Sequence, residues 1–260
     1  MIFGLLHRYL TYSHCFYDNF NRKINRVNKH QVFFKSVQTE YCNKSFFVKL
    51  DERYVLTPSG NKLQLPTIML AEAIAREWLK QDKKIDPSSM PMMQLACTAI
   101  DRVHEKRTTL IEETVSYGGT DLLCYRAEKP VELVKLQLRG WQPVLDWLAD
   151  DLGVKLKVGP GVVHIEQEKE SITKLREIIS SYLPFPLTAL IRFTQVFSSL
   201  GLGLAVTSRH ITWEHAVELA FLDEHFQAQR WGEDREALER EKNIRTEVEQ
   251  TAQFMSLCGI

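Results

Sequence analysis

Apolar and polar residues alternate between residues 32 and 66, and short polar breaks interrupt the alternation. The segments SFFVKL (45–50) and RYVLT (53–57) are rich in β-forming residues and flank one such break. The following PSGNK supplies the proline, glycine and asparagine that are typical of a turn. This pattern predicts a small antiparallel β region made of hairpins.

The period of the apolar positions changes after residue 66. Leu70, Ile74 and Trp78 recur at a spacing of four, which places them on one face of a helix that ends near Lys80. Thr67 stands where an N-cap residue is expected. The pattern therefore predicts an amphipathic helix with a largely buried Trp78.

The rest of the chain is predominantly helical in its apolar spacing. VKLKVGPGVVHI (154–165) is the exception, since its Gly-Pro-Gly predicts the turn of a hairpin. The predicted helices cover 93–107, a stretch from 108, 130–152, 168–181, 186 to 200 or beyond, 212–230 and 233–257.

These elements predict an α+β protein, with a small N-terminal β-rich domain followed by a larger, mainly helical C-terminal domain. The β-rich region covers 32–66, and its domain could extend to about residue 127. The mainly helical domain covers 128–260. Residues 1–31 precede both and carry a different composition.

Charge is distributed unevenly along the chain. The 260 residues have a formal net charge of +0, yet residues 1–36 contain six basic residues and one acidic residue. A basic, acid-poor start predicts a mitochondrial transit peptide. A poorly ordered arm, a misassigned gene start or a weak secretory signal in MIFGLLHRYL remain alternatives.

Composition excludes several classes of protein. The five cysteines show no CxxC spacing, which fits a reducing compartment better than a disulfide framework. The longest apolar run, residues 193–206, is too short and too polar for a membrane helix, so no membrane insertion is expected. After residue 36 the balance is acidic, which argues against binding to nucleic acid.

The segment YGGTDLLCYRA (117–127) has the appearance of an active site. Gly118 and Gly119 are not followed by the Lys-Ser or Lys-Thr of a phosphate-binding loop, so they predict a turn with positive φ. Asp121, Cys124 and Tyr125 behind that turn supply the alternative hypothesis, a small matrix enzyme with its site near Asp121 and Cys124.

Metal and cofactor motifs are not found in the sequence. His210, His215 and His225 do not form an HExxH motif, and no paired cysteines accompany them. GLGLAV (201–206) lies in an apolar helical pattern, where small residues favour close helix packing over dinucleotide binding. We therefore predict no metal and no cofactor.

The second charged segment is LDEHFQAQRWGED (222–234). Gly232 predicts the end of one helix. Asp223 and Glu224 precede Arg230 and Trp231, and two interpretations stay open. The acids either form structural ion pairs with neighbours such as Arg230, or they are displayed for a partner.

These segments together resemble the mitochondrial ATP synthase assembly factor 2 family. YGGTDLLCYRA and DEHFQAQRWG are the most specific of the matching stretches. The matches run in order from about residue 32 to residue 257: FFKSV (33–37), VKLDERYVLTPSGNKLQLP (48–66), LAEAIAREW (70–78), IDPSSMPMMQLACTAID (85–101), YGGTDLLCYRAEKP (117–130), WQPVLDWL (141–148) and LDEHFQAQRWGED (222–234).

The resemblance implies a chaperone of the mitochondrial matrix that performs no catalysis. Its partner would be the unassembled alpha subunit of the ATP synthase catalytic head, whose contact surface for beta it would shield. The free chaperone would be a monomer.

The resemblance also implies functional residues. An acid before the Trp-Gly pair matters in the family, and it corresponds here to Asp223 or Glu224. Trp78 matters as well. The expected partner-binding residues are Asp223, Glu224, Arg230 and Trp231, and the expected structural or functional residues are Trp78, Gly118, Gly119, Asp121 and Gly232.

Overall fold

The computed structural model of the chain describes residues 31–232 and 234–259. These residues divide into two compact units. The first contains residues up to Lys106 together with the C-terminal residues from Gln253, and the second contains Arg107–Ala252. The predicted transit peptide at residues 1–31 lies, apart from Gln31, outside the described residues.

An antiparallel sheet opens the described part of the first unit. Its strands are β1 (Val37–Cys42), β2 (Ser45–Leu50) and β3 (Arg53–Tyr54), in the order β1-β2-β3. Asn43 and Lys44 join β1 to β2 with φ angles of 50° and 63°, the left-handed conformation typical of two-residue hairpin turns. The predicted β region is therefore confirmed.

The helix α1 (Ile68–Leu79) packs against β1 and β2. Thr67 caps it as predicted, because its side chain accepts a hydrogen bond from Leu70 N at 3.2 Å. Leu70 and Ile74 are buried, and Trp78 lies at the edge of the buried face. A 3-10 turn (Pro87–Ser89), the helix α2 (Pro91–Cys97) and a π-helical turn (Thr98–Val103) follow.

The second unit is mainly helical, which confirms the α+β class. Its helices are α3 (Arg107–Gly118), α4 (Val131–Leu152), α5 (Lys169–Ser181), α6 (Pro184–Phe197), α7 (Leu200–Thr207), α8 (Trp213–Ala220), α9 (Leu222–Trp231) and α10 (Arg235–Leu257). The last residues of α10 belong to the first unit.

The core of the second unit includes the pair α6 and α7. Every residue of α7 is buried, and a Cβ added to Gly203 would lie 2.7 Å from Thr194 Oγ1 on α6. This confirms that the glycines of GLGLAV permit close helix packing. Arg192 on α6 forms a buried ion pair with Glu247 on α10. None of the described helices is long and apolar enough to span a membrane.

Residues 154–165 do not form the predicted hairpin. The strand β5 (Gly159–Pro160) pairs in parallel with β4 (Tyr125–Arg126) instead. The backbone N–H and C=O of Lys157 bond the side-chain amide of Gln167, at 2.7 and 3.0 Å, where a hairpin would place a second strand. A side chain therefore closes this loop in place of a strand.

Candidate functional site

The two glycines differ in their surroundings, and Gly118 serves helix packing. A turn follows the helix at Gly119 and Thr120 as predicted, but neither glycine has a positive φ, so the predicted backbone conformation is wrong. Gly118 is the last residue of α3, and a Cβ at this position would lie 2.5 Å from Leu175 Cδ1 on α5. Real Cβ atoms do not approach other atoms so closely. Glycine at 118 allows α3 and α5 to pack closely, and any larger residue would have to displace the Leu175 side chain.

Asp121 is a buried structural anchor. It is 0% exposed, and its Oδ1 accepts hydrogen bonds from Leu123 N at 3.0 Å and Ser199 Oγ at 2.7 Å. Its Oδ2 accepts from Gly201 N, in the first turn of α7, at 2.8 Å. Burial raises the pKa of Asp121, while the bonds from Gly201 and Ser199 oppose that rise. The carboxylate thus joins the 117–127 segment to the start of α7.

Cys124 is buried behind Asp121. Burial raises the pKa of its thiol, and the nearby Asp121 raises it further, so the thiolate form is disfavoured. The enzyme hypothesis depended on the side chains of Asp121 and Cys124. Both are buried in the interior of the second unit. Within residues 31–232 and 234–259, no three His, Cys, Asp or Glu side chains are grouped so that they could hold a metal ion.

The two charged segments of the sequence meet through Gln137 on α4. Arg126 donates to the Gln137 carbonyl oxygen at 2.8 Å, and Ala127 N donates to Gln137 Oε1 at 2.8 Å. Gln137 Nε2 then donates to Asp223 Oδ1 on α9, also at 2.8 Å. We call Arg126, Gln137 and Asp223 the polar bridge.

Burial affects both charged members of the polar bridge. It raises the pKa of Asp223, whereas Gln137 and Arg126 oppose that rise. It lowers the pKa of Arg126, which also lies over the ring of Trp141 at 5.3 Å. The bridge was not predicted, although a glutamine on the apolar face of α4, four residues before Trp141, was a signal of a buried polar group.

Arg230 has a different partner from the one considered in the sequence. It pairs with Glu132 at the start of α4, at 3.3 Å, and lies over the Phe226 ring at 4.6 Å. Ion pairs of Asp223 and Glu224 with Arg230, one of the two interpretations left open by the sequence, are therefore not formed. Trp231 follows at the end of α9 and is 77% exposed. Gly232 ends the helix with a φ of 95°, as its predicted role as a C-cap requires.

Glu224 faces a cleft between α9 and the first turns of α10, which we call the α9–α10 cleft. Burial raises the pKa of Glu224, Asp223 raises it further, and Arg240 and His225 oppose the rise. The cleft has a volume of about 350 Å³. Its lining residues are Phe221, Glu224, His225, Ala228 and Gln229 from α9 and its N-cap, and Asp234, Ala237, Leu238, Arg240 and Glu241 from α10 and its N-terminal flank.

The loop at 154–168 displays apolar side chains beside the polar bridge. Val158, Val162 and Val163 are exposed, and Val163 is 75% exposed. Gly161 N donates to the Arg126 carbonyl oxygen at 2.8 Å, which fixes the loop to the 117–127 segment. The segment that resembled an active site therefore supports an apolar surface loop.

Trp78 lies in the first unit. Its ring meets Phe34 edge to face at 5.8 Å, and its Nε1 is buried without a hydrogen-bond acceptor in the described residues. The neighbouring Glu77, which sequence reasoning missed, accepts from Met92 N at 2.7 Å and Met93 N at 2.9 Å. The sequence did contain a signal of this buried acceptor, because Glu77 stands next to Trp78 on a helix face that is otherwise apolar.

Comparisons with known proteins agree on one family. The family model of the ATP12 chaperone protein matches residues 31–149. The chain is 39% identical to Atp12 of Paracoccus denitrificans in a crystal structure, with a TM-score of 0.85 over 88% of this chain and 99% of that one. An aspartate-to-lysine mutant of the same protein matches at 38% identity and a TM-score of 0.85, over 88% of this chain and 98% of that one. The mitochondrial protein atp12 of Schizosaccharomyces pombe is 27% identical over 77% of this chain and 73% of its own length.

Proposed function

Because the chain belongs to the ATP12 chaperone family, we propose that it binds the unassembled alpha subunit of mitochondrial F-type ATP synthase. It shields the surface through which alpha later contacts beta, and it performs no catalysis. The observation that carries this proposal is the similarity to Paracoccus Atp12 over nearly the whole length of that protein. The proposed location is the mitochondrial matrix, in keeping with the mitochondrial relative from fission yeast.

The exposed apolar side chains of the second unit support a chaperone of this kind. Val131 and Leu138 lie on one face of α4, seven residues apart, and both are exposed. Val162, Val163 and Trp231 are exposed as well. Exposed large apolar groups are suited to covering an assembly surface that is itself apolar.

A polar surround would keep such binding reversible. A chaperone must release alpha to beta, so its affinity has to stay intermediate, and buried area alone does not set that affinity. Arg230 with Glu132 beside Trp231, and Glu224 in the α9–α10 cleft, supply charged groups next to the apolar ones. We propose Glu224, Arg230 and Trp231 as partner-binding residues, with Asp223 holding α9 in place through Gln137.

Co-purification tests the proposal. The chain would be purified from mitochondria that have just imported tagged alpha and beta subunits. We expect alpha to be recovered before it joins beta, and a Trp231→Ser variant to recover less of it. Recovery of beta without alpha would contradict the proposed partner.

A further inference from the structure

Small residues line the α9–α10 cleft from both helices. Ala228 on α9 and Ala237 on α10 both belong to its wall, and neither side chain extends beyond Cβ. Its volume of about 350 Å³ falls within the range of ligand pockets, roughly 300–1,000 Å³. The cleft is partly open to solvent, and the exposed Leu238 forms part of its wall.

Two charged groups in the cleft have unmet hydrogen-bonding capacity. The Glu224 carboxylate accepts from its own backbone N–H, and no side chain in residues 31–232 and 234–259 donates to it. Arg240 Nε is buried and makes no hydrogen bond within the same residues. An occupant of this cleft should therefore offer a donor to Glu224 and an acceptor to Arg240.

His225 and Glu241 of the cleft are already paired. His225 Nε2 lies 2.9 Å from Glu241 Oε2, and Arg245 donates to Glu241 Oε1 at 2.9 Å. Arg245 also pairs with Glu218 at 2.5 Å. Glu224 and Asp234 are thus the carboxylates of the cleft wall that form no salt bridge within the described residues, and Glu224 is the less exposed of the two.

Asp223, the other candidate acid, is engaged elsewhere. Its Oδ1 accepts from Gln137 in the polar bridge, and it does not line the cleft. The two adjacent acids consequently differ in role. Asp223 holds α9 to α4, and Glu224 faces an open space.

We propose that the α9–α10 cleft receives one lysine or arginine side chain of the protein that the chaperone binds. The aliphatic stem packs against Ala228, Ala237 and Leu238, and the cationic head donates to Glu224. A main-chain carbonyl of the same partner segment accepts from Arg240 Nε. Glu241 is already paired, and the two remaining carboxylates of the wall, at 224 and 234, outnumber the one arginine, which favours a cation. This inference rests on the proposed function only for the identity of the partner, alpha, which supplies the side chain.

A small probe tests the cleft without alpha. Nα-acetyl-arginine methylamide would be titrated into the ¹⁵N-labelled full chain, with the norleucine analogue as the uncharged control. We expect saturable shifts of the amide signals of Ala228, Ala237 and Leu238 with the arginine probe alone. Glu224→Gln should abolish these shifts, and Glu239→Gln, an exposed change of equal charge outside the cleft, should preserve them. Shifts that are missing, or that persist in Glu224→Gln, would overturn the proposal.

The second experiment measures the affinity of cleft variants for alpha. Glu224→Gln should weaken binding of alpha by about tenfold or more, as loss of one partner of an interfacial charge pair does. Ala228→Leu should weaken it comparably by filling the cleft at unchanged charge. If both variants bind alpha as the natural chain does, the cleft inference is wrong and the proposed function stands. If the natural chain binds the arginine probe and does not bind alpha, the cleft inference stands and the proposed function is wrong.

Discussion

Gln137 on α4 donates a 2.8 Å hydrogen bond to the Asp223 carboxylate on α9, and the two residues are 86 positions apart in the chain. The same glutamine side chain accepts from Ala127 N at 2.8 Å. One buried amide therefore aligns the 117–127 segment with the helix that carries the proposed partner-binding residues. Loss of either hydrogen bond would weaken the alignment of the 117–127 segment with α9.

Replacing Asp223 tests this alignment. Asp223→Ala leaves the buried Gln137 N–H group without its acceptor, which should lower the free energy of unfolding by about 1–3 kcal/mol. Asp223→Asn keeps an acceptor oxygen and should lose less than half as much. Urea unfolding of both variants is the measurement. Equal losses, or none, would show that Gln137 does not depend on Asp223.

Replacing Gly118 tests the packing of α3 on α5. Because a Cβ at 118 would lie 2.5 Å from Leu175 Cδ1, Gly118→Ala should lower stability by about 1–3 kcal/mol through overpacking. Thermal unfolding would measure it. In a Leu175→Val background, where that Cδ1 is missing, the same change should be considerably less harmful. A stabilising Gly118→Ala would mean that backbone entropy outweighs the contact.

These two positions show what the sequence could predict. The hydrophobic spacing located the helices and the β region because both signals are local. Gly118 was visible as a special residue, yet its reason, Leu175, lies 57 positions further on and is brought near only by the packing of two helices. The hairpin at 154–165 failed for a similar reason, since Gly159 and Pro160 pair with Tyr125 and Arg126, which lie 34 positions earlier in the chain.

Glu77 predicts a pH dependence of stability. Burial raises its pKa from 4.5 to about 7, although Met92 N and Met93 N donate to it. The folded chain therefore binds this proton more tightly than the unfolded chain does. Stability from Glu77 is fully present below pH 4.5 and is lost as the pH rises to about 7, a change of roughly 3 kcal/mol at 1.36 kcal/mol per pKa unit.

Comparison with Glu77→Gln isolates that contribution. The variant has no titrating group at 77. As the pH rises from about 4.5 to 7, the unfolding free energy of the natural chain should therefore fall relative to that of the variant. Urea unfolding across that range would measure it, because other titrating groups cancel in the difference. A difference that does not vary with pH would mean that the pKa of Glu77 is the same in the folded and the unfolded chain.

Trp231 separates binding from stability. It is 77% exposed at the end of α9, so Trp231→Ser should change the unfolding free energy by no more than about 0.5 kcal/mol, as exposed substitutions do. If its ring covers part of alpha, the same variant should bind alpha at least about tenfold more weakly, since exposed tryptophans that become buried at interfaces dominate binding energy.

Leu183→Ser is the matched control, because Leu183 is 72% exposed and is not among the proposed contacts. Thermal melting and the amount of alpha kept from aggregating would be measured for both variants. If Leu183→Ser loses as much protection of alpha as Trp231→Ser, Trp231 has no special role among the exposed apolar residues. If Trp231→Ser melts at a lower temperature than the natural chain, Trp231 stabilises the fold and the loss of binding cannot be assigned to a contact with alpha.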